Sequence, residues 1–119
     1  MTPTSFTFTL TMPGDERFVG AIRLLAAQAA SYANVSAEAG QALADRVQRA
    51  TESAIAAGSH DVPLDFTFSG DDARVTVRIA CHVETATPAP ASSSANGISV
   101  NWSADGSRLT CTIQQPTAS

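Results

Sequence analysis

The side chains able to do chemistry are few, and their spacing limits what chemistry they can do. His60 and His82 are the only histidines, with Asp61, Asp71, Asp72 and Glu84 near them along the chain. A metal centre needs three or four convergent ligands, and neither H-x-x-x-H nor C-x-x-C spacing occurs, so no metal is expected. The histidines read as a loop residue and a solvent-facing strand residue. Cys81 and Cys111 fall on the apolar sides of alternating runs. They read as small core residues, because a thiol nucleophile needs an electropositive, accessible setting. Asp71-Asp72 follows Gly70 and is turn chemistry rather than an acid–base pair. G-x-S-x-G is absent, and Ser92–Ser94 form a short run that can accept a phosphate. No catalytic residue, metal or cofactor is assigned.

The elements that must position these residues follow from periodicity. Ser36–Gly58 reads as one long helix, with Ser36 as N-cap, Glu38 in the first turn and Gly58 as the stop. Leu43, Val47, Ala50 and Ala54 form a narrow stripe of mostly small apolar residues. Asp45, Arg46, Gln48, Arg49 and Glu52 fill the other faces, with Asp45 and Arg49 placed for an i,i+4 pair. Upstream, Asp15 can cap a helix over residues 16–33, whose buried stripe is expected to be Phe18, Ile22, Leu25, Ala29 and Tyr32. Asn34-Val35 joins the helices so tightly that an antiparallel pair is expected.

The rest alternates with period two. Phe6, Phe8, Leu10 and Met12 interleave with Thr7, Thr9 and Thr11 before Pro13-Gly14. Leu64, Phe66 and Phe68 mark a second strand, and Gly70-Asp71-Asp72 turns the chain. Val75, Val77, Ile79, Cys81 and Val83 mark a third, with Thr76, Arg78, Ala80 and His82 on its other side. A one-residue slip would expose its whole apolar set, so the register of this hairpin is strongly specified. Ile98, Val100 and Trp102, then Leu109, Cys111 and Ile113, form a second hairpin about Ala104-Asp105-Gly106. Thr85–Gly97 is biased towards Pro, Ala and Ser and reads as a flexible loop with no element of its own. Residues 5–83 and 98–114 are the expected ordered core of a single domain spanning 1–119, with 116–119 a tail. The expected fold class is α+β: a two-layer sandwich in the order β-α-α-β-β-loop-β-β, with two helices on one face of a mixed or antiparallel five-stranded sheet.

Composition agrees with a globular domain and excludes several functions. The 119 residues are 44% hydrophobic and 15% charged, with a formal net charge of −4 and a pI near 4.8. All the basic residues are arginines, scattered as Arg17, Arg23, Arg46, Arg49, Arg74, Arg78 and Arg108, so no cationic stripe forms for nucleic acid. No apolar run approaches the length of a membrane span, and the N-terminal alternation is not that of a leader, so a cytoplasmic location is expected.

The order and lengths of these elements resemble the GHKL (histidine-kinase-like) ATPase fold as used by the anti-sigma-factor serine kinases of bacteria. Met12-Pro13-Gly14-Asp15 through Arg23 is similar to that family's first strand and helix. Leu43-Ala44-Asp45-Arg46-Val47 through Gly58 is similar to its N-box helix. Arg74-Val75-Thr76-Val77-Arg78 is similar to the strand before its adenine motif. The N-box pattern is roughly E-x-x-x-N-A-x-x-H, whose Glu activates the attacking hydroxyl and whose Asn holds Mg²⁺. Here those three positions are Arg49, Ser53 and Ala57. Sliding the frame to make Glu52 the base puts Ala56 at the metal position. The adenine motif's Asp and glycines fall at Ile79, Cys81 and Val83, and the phosphate-binding lid shrinks to Thr85–Gly97. The resemblance therefore implies a degenerate relative without ATP chemistry, with a sigma factor or a STAS-type anti-anti-sigma protein as partner. Contact is expected around Arg17, Arg23 and Arg46. The alternatives are a small ligand binder or enzyme with a pocket between the sheet and the 85–97 loop, or a residual ATP-binding serine kinase. The uncharged Thr7, Thr9 and Thr11 strand also suggests a homodimer edge.

Overall fold

The structure, a computed structural model, describes residues 6–33, 35–57, 63–71, 74–82, 93–95, 97–105 and 108–116. The chain forms β1 (Phe6–Pro13), a 3-10 turn (Glu16–Phe18), α1 (Val19–Tyr32), α2 (Ala37–Ala57), β2 (Pro63–Gly70), β3 (Arg74–His82), β4 (Ser93–Ala95), β5 (Ile98–Asp105) and β6 (Arg108–Pro116). The strands make one sheet in the order β1-β2-β3-β6-β5-β4, and every pairing is antiparallel. α1 packs on β2 and β3, and α2 on β3 and β6, so both helices cover one face. This is the expected α+β sandwich, its five strands present and a short sixth added at the edge.

Alternation decides which side of each strand faces the helices. Leu64, Phe66 and Phe68 on β2, Val75, Val77, Ile79 and Cys81 on β3, and Leu109, Cys111 and Ile113 on β6 are buried beneath α1 and α2. The opposite face carries the ladder Thr9, Thr67, Arg78, Thr112 and Asn101, one residue from each of the five longer strands in register. A sheet covered on one side only needs this two-sided pattern.

The helix pair is antiparallel and close. Gly40 of α2 faces Ala30 of α1, such that a Cβ on Gly40 would lie 3.4 Å from that of Ala30. Arg23 of α1 bonds to Asp45 and Gln48 further along α2. Ser36 caps α2 as expected, its Oγ accepting the Ala39 N–H at 3.2 Å.

Several expectations are corrected. Val19, Ile22, Ala26, Ala29 and Ala30 are the buried residues of α1, while Tyr32 is 62% exposed. The close approach of α2 at Gly40 leaves room only for short side chains along Ala26, Ala29 and Ala30, and Tyr32 beyond them turns outward. Asp45 pairs with Arg23, not with Arg49. Ala80 is buried although it lies on the solvent side of β3, flanked by Asp65 and Thr110 on the adjacent strands. Within the stretch 85–97, β4 forms and pairs with β5 across Gly97, whose φ of 79° lies in the left-handed region that glycine adopts without strain. Pro116 belongs to β6 rather than to a tail. Gly58, Ser59, His60, Asp61, Asp72, Val83, Glu84, Ser92, Gly106 and residues 85–91 and 117–119 lie outside the described residues.

Candidate functional site

The residues singled out by the sequence lie mostly on α2 and around its seam with α1. Along α2, Leu43, Ala44, Val47, Ala50, Thr51 and Ala54 are buried, whereas Arg49, Glu52, Ser53 and Ala56 are exposed. With about 100° of rotation per residue, these are opposite sides of one helix. The three positions where an N-box would place its base and metal ligand (Arg49, Glu52 and Ser53) thus face solvent, away from the sheet. The side facing the sheet is closed by small apolar residues, and Thr51 turns its hydroxyl back on the helix, donating to the Val47 carbonyl at 2.7 Å.

Arg23 is the hub of the helix seam. Its guanidinium donates to Gln48 Oε1 at 3.0 Å and to Gln41 Oε1 at 3.1 Å, and it forms an ion pair with Asp45. One planar cation thereby spans two turns of α2, a task that suits the fixed fork of arginine. Sequence reasoning placed Arg23 outside the core but could not see this bridge, because the three acceptors lie 18 to 25 residues away.

The other expected contact residues do not join Arg23 in one cluster. Arg17 is 82% exposed and turns back on Asp15, donating from Nε at 3.0 Å and from a terminal nitrogen at 2.8 Å. That hydrogen bond and the adjacent carboxylate hold its pKa above the ordinary value. Asp15 also accepts the Arg17 N–H at 3.0 Å, so the anticipated cap sits on the 3-10 turn that precedes α1. Arg46 is half-buried on the flank of α2 beyond Asp45, and Arg49 is exposed. Among the described residues neither has a hydrogen-bond or ion-pair partner.

The remaining candidates take structural places. Cys81 and Cys111 are free and buried on adjacent strands, Cys111 opposite Ile79 and Cys81 opposite Leu109. Burial pushes the Cys111 thiol up to about 12 and raises Cys81 as well, with Arg108 pulling the other way. Both are therefore protonated and unreactive at neutral pH. His82 is exposed at the end of β3 opposite Arg108. Asp71 accepts the Arg74 N–H at 3.0 Å and shapes the β2–β3 turn. Among the described residues no three His, Cys, Asp or Glu side chains converge.

The described surface includes these two recesses. One of about 220 Å³ lies at the sheet end between Arg74, Ser99, Gln114 and Pro116. The other, too narrow to hold a water molecule, lies beneath the ends of both helices between Met12, Phe18, Thr51, Ile55 and Phe66. Small-molecule sites usually enclose about 300 Å³ or more. Gln115, missed by sequence reasoning, is buried on β6 and donates to the Ala39 carbonyl at 2.9 Å, tying the start of α2 to the sheet. Compared with known proteins, the chain matches no family model and no curated sequence. No helix among the described residues is long and apolar enough to cross a membrane.

Proposed function

We propose that this chain is a non-catalytic regulatory module of the anti-sigma-factor-kinase type, acting in the bacterial cytoplasm by binding another protein. The observation that carries this reading is the outward orientation of Arg49, Glu52 and Ser53 on α2. Phosphotransfer needs its base and metal ligand inside a water-excluding pocket with the phosphates, and a solvent-facing helix side supplies neither. The same helix side suits a protein partner. Arg46 and Arg49 offer guanidinium groups uncommitted among the described residues, and arginine is favoured at interfaces because its fork pairs with carboxylates. By the resemblance, the partner is a sigma factor or a STAS-type protein, met through an acidic surface.

Calorimetric titration with ATP and ADP plus Mg²⁺, beside a titration with purified sigma factors and STAS-type proteins of the source organism, tests this. The expected result is no nucleotide binding at millimolar concentration and saturable binding of one protein. Arg46→Glu with Arg49→Glu weakens that binding at least roughly tenfold. Micromolar nucleotide binding with a matching rise in melting temperature would overturn the reading and return attention to Glu52 and Ser53.

A further inference from the structure

β1 is the outer strand of the sheet, and its backbone polarity follows from the register. The Asp71 N–H donates to the Arg74 carbonyl at 3.0 Å, which makes that pair a hydrogen-bonded one. Hydrogen-bonded pairs recur every second residue along an antiparallel ladder, so Ser69, Thr67 and Asp65 turn their backbone groups towards β3. Leu64, Phe66, Phe68 and Gly70 then turn theirs towards β1, where they meet Met12, Leu10, Phe8 and Phe6. Thr7, Thr9 and Thr11 are left with N–H and C=O groups directed away from the sheet. Among the described residues no strand lies beyond β1, and none of these groups joins a turn or loop hydrogen bond.

This edge lacks the usual protections. β1 holds no charged residue, its only proline is its last residue, and its register with β2 runs unbroken from Phe6 to Pro13 without a bulge. The opposite edge, β4, is only three residues long. Beside the open backbone runs a half-finished aromatic row. Phe6 stacks on Phe8 and meets Tyr32 edge-on, each at 6.0 Å between centroids, and Phe8 stacks on Phe68 at 5.0 Å. Phe6, Phe8, Leu10 and Met12 are only partly buried, and Tyr32 is largely exposed.

We infer that two copies of this chain join β1 to β1 about a two-fold axis at Thr9, giving one continuous antiparallel sheet. The strand is its own complement in that register. Thr9 faces the partner's Thr9 and Thr7 faces the partner's Thr11, so every outward backbone group meets a matching one, two bonds per pair. On the helix side, Phe8 lies opposite the partner's Leu10 and Phe6 opposite the partner's Met12, which completes the apolar row. On the other side threonine meets threonine. A second copy satisfies backbone, apolar and polar sides together, and a strand without charged residues brings no like charges face to face. Facing residues in a ladder project to the same side, so both helix pairs lie on one face of the joined sheet.

Light scattering and sedimentation on the full chain test this, with the expected mass being twice 12.3 kDa. Thr9→Pro removes only an outward N–H, so β1 still pairs with β2, and the dimer dissociation constant rises at least roughly tenfold. Thr9→Lys, which places two cations together at the axis on the solvent side, has the same effect without touching the backbone. Facing Cα atoms of a hydrogen-bonded pair lie about 5.5 Å apart, within disulfide reach. Thr9→Cys therefore cross-links under oxidised glutathione, whereas Thr7→Cys, four residues from its own copy in this register, does not. A wild-type chain that stays at 12.3 kDa to roughly 1 mM overturns the inference. A dimer that survives Thr9→Lys, or that cross-links equally through Thr7→Cys, overturns it as well.

Discussion

The ring of Phe6 lies directly over Gly70, its partner across the β1–β2 ladder, so that a Cβ at residue 70 would fall 2.6 Å from Phe6 Cε1. Glycine leaves this space to the ring, which a side chain at residue 70 would push from its present contacts with Phe8 and Tyr32. Gly70→Ala displaces the ring and costs about 1–2 kcal/mol by chemical denaturation. In a Phe6→Ala background the same substitution costs much less, because the obstructing ring is gone. Equal costs in the two backgrounds would show that the ring does not set the requirement.

Arg23 holds the helix pair through three acceptors on α2, with its side chain 32% exposed and that of Asp45 58% exposed. Solvent screening keeps each ion pair of this kind small. Arg23→Ala is expected to lower stability by about 1 kcal/mol, and a double-mutant cycle with Asp45→Ala to give a coupling of roughly 0.5 kcal/mol. Arg23→Lys recovers only part, because one ammonium cannot reach acceptors two helical turns apart. Full recovery by lysine would reduce the network to simple charge.

Gln115 places a polar amide in an apolar setting. Its nitrogen donates to Ala39, while its Oε1 is buried with no partner among the described residues. The Ala39 carbonyl also serves the ladder of α2, so losing the Gln115 donor does not orphan it. Gln115→Met, which fills the same space without the unpaired oxygen, leaves stability unchanged or raises it by up to about 1 kcal/mol. Gln115→Ala lowers it by about 1–2 kcal/mol through the cavity it leaves. A methionine variant weaker than the alanine one would show that the amide oxygen is satisfied.

Cys111 gives the stability a defined alkaline dependence. Its pKa lies at about 12 in the folded chain against an ordinary 9.0, because burial disfavours the thiolate. The unfolded chain therefore loses its proton first as pH rises. The contribution is intact below pH 9.0 and falls as pH climbs towards about 12, with Cys81 adding a change of the same sign. Urea midpoints from pH 8 to 10.5 should fall more steeply for the wild-type chain than for Cys111→Ala. Identical slopes would mean that Cys111 ionises as easily folded as unfolded.

The local grammar of this chain could be read without its structure. Alternation in Phe6–Met12, Leu64–Phe68 and Val75–Cys81 identified strands and their buried sides, because period-two burial depends only on the pleat. Ser36 announced α2, since a cap is a contact three residues long. The short strand β4 was also within reach. Asn96-Gly97 before Ile98 is a hairpin signal that the surrounding serines and prolines obscured.

Other features depended on elements distant in sequence. Which of the leucines, alanines and Tyr32 in α1 turn inward is decided by how closely Gly40 and Ala30 let α2 approach. The partner of Asp45 is decided by the same packing, which brings Arg23 nearer than local spacing could show. The outward turn of Arg49, Glu52 and Ser53 follows from which stripe of α2 meets the sheet. That β1 stands at an edge follows only from the strand order. Helix and strand periods are properties of neighbouring residues, so the sequence determined them by itself. Strand order and helix approach are set by competition among distant surfaces for burial, and only the tertiary structure decided those.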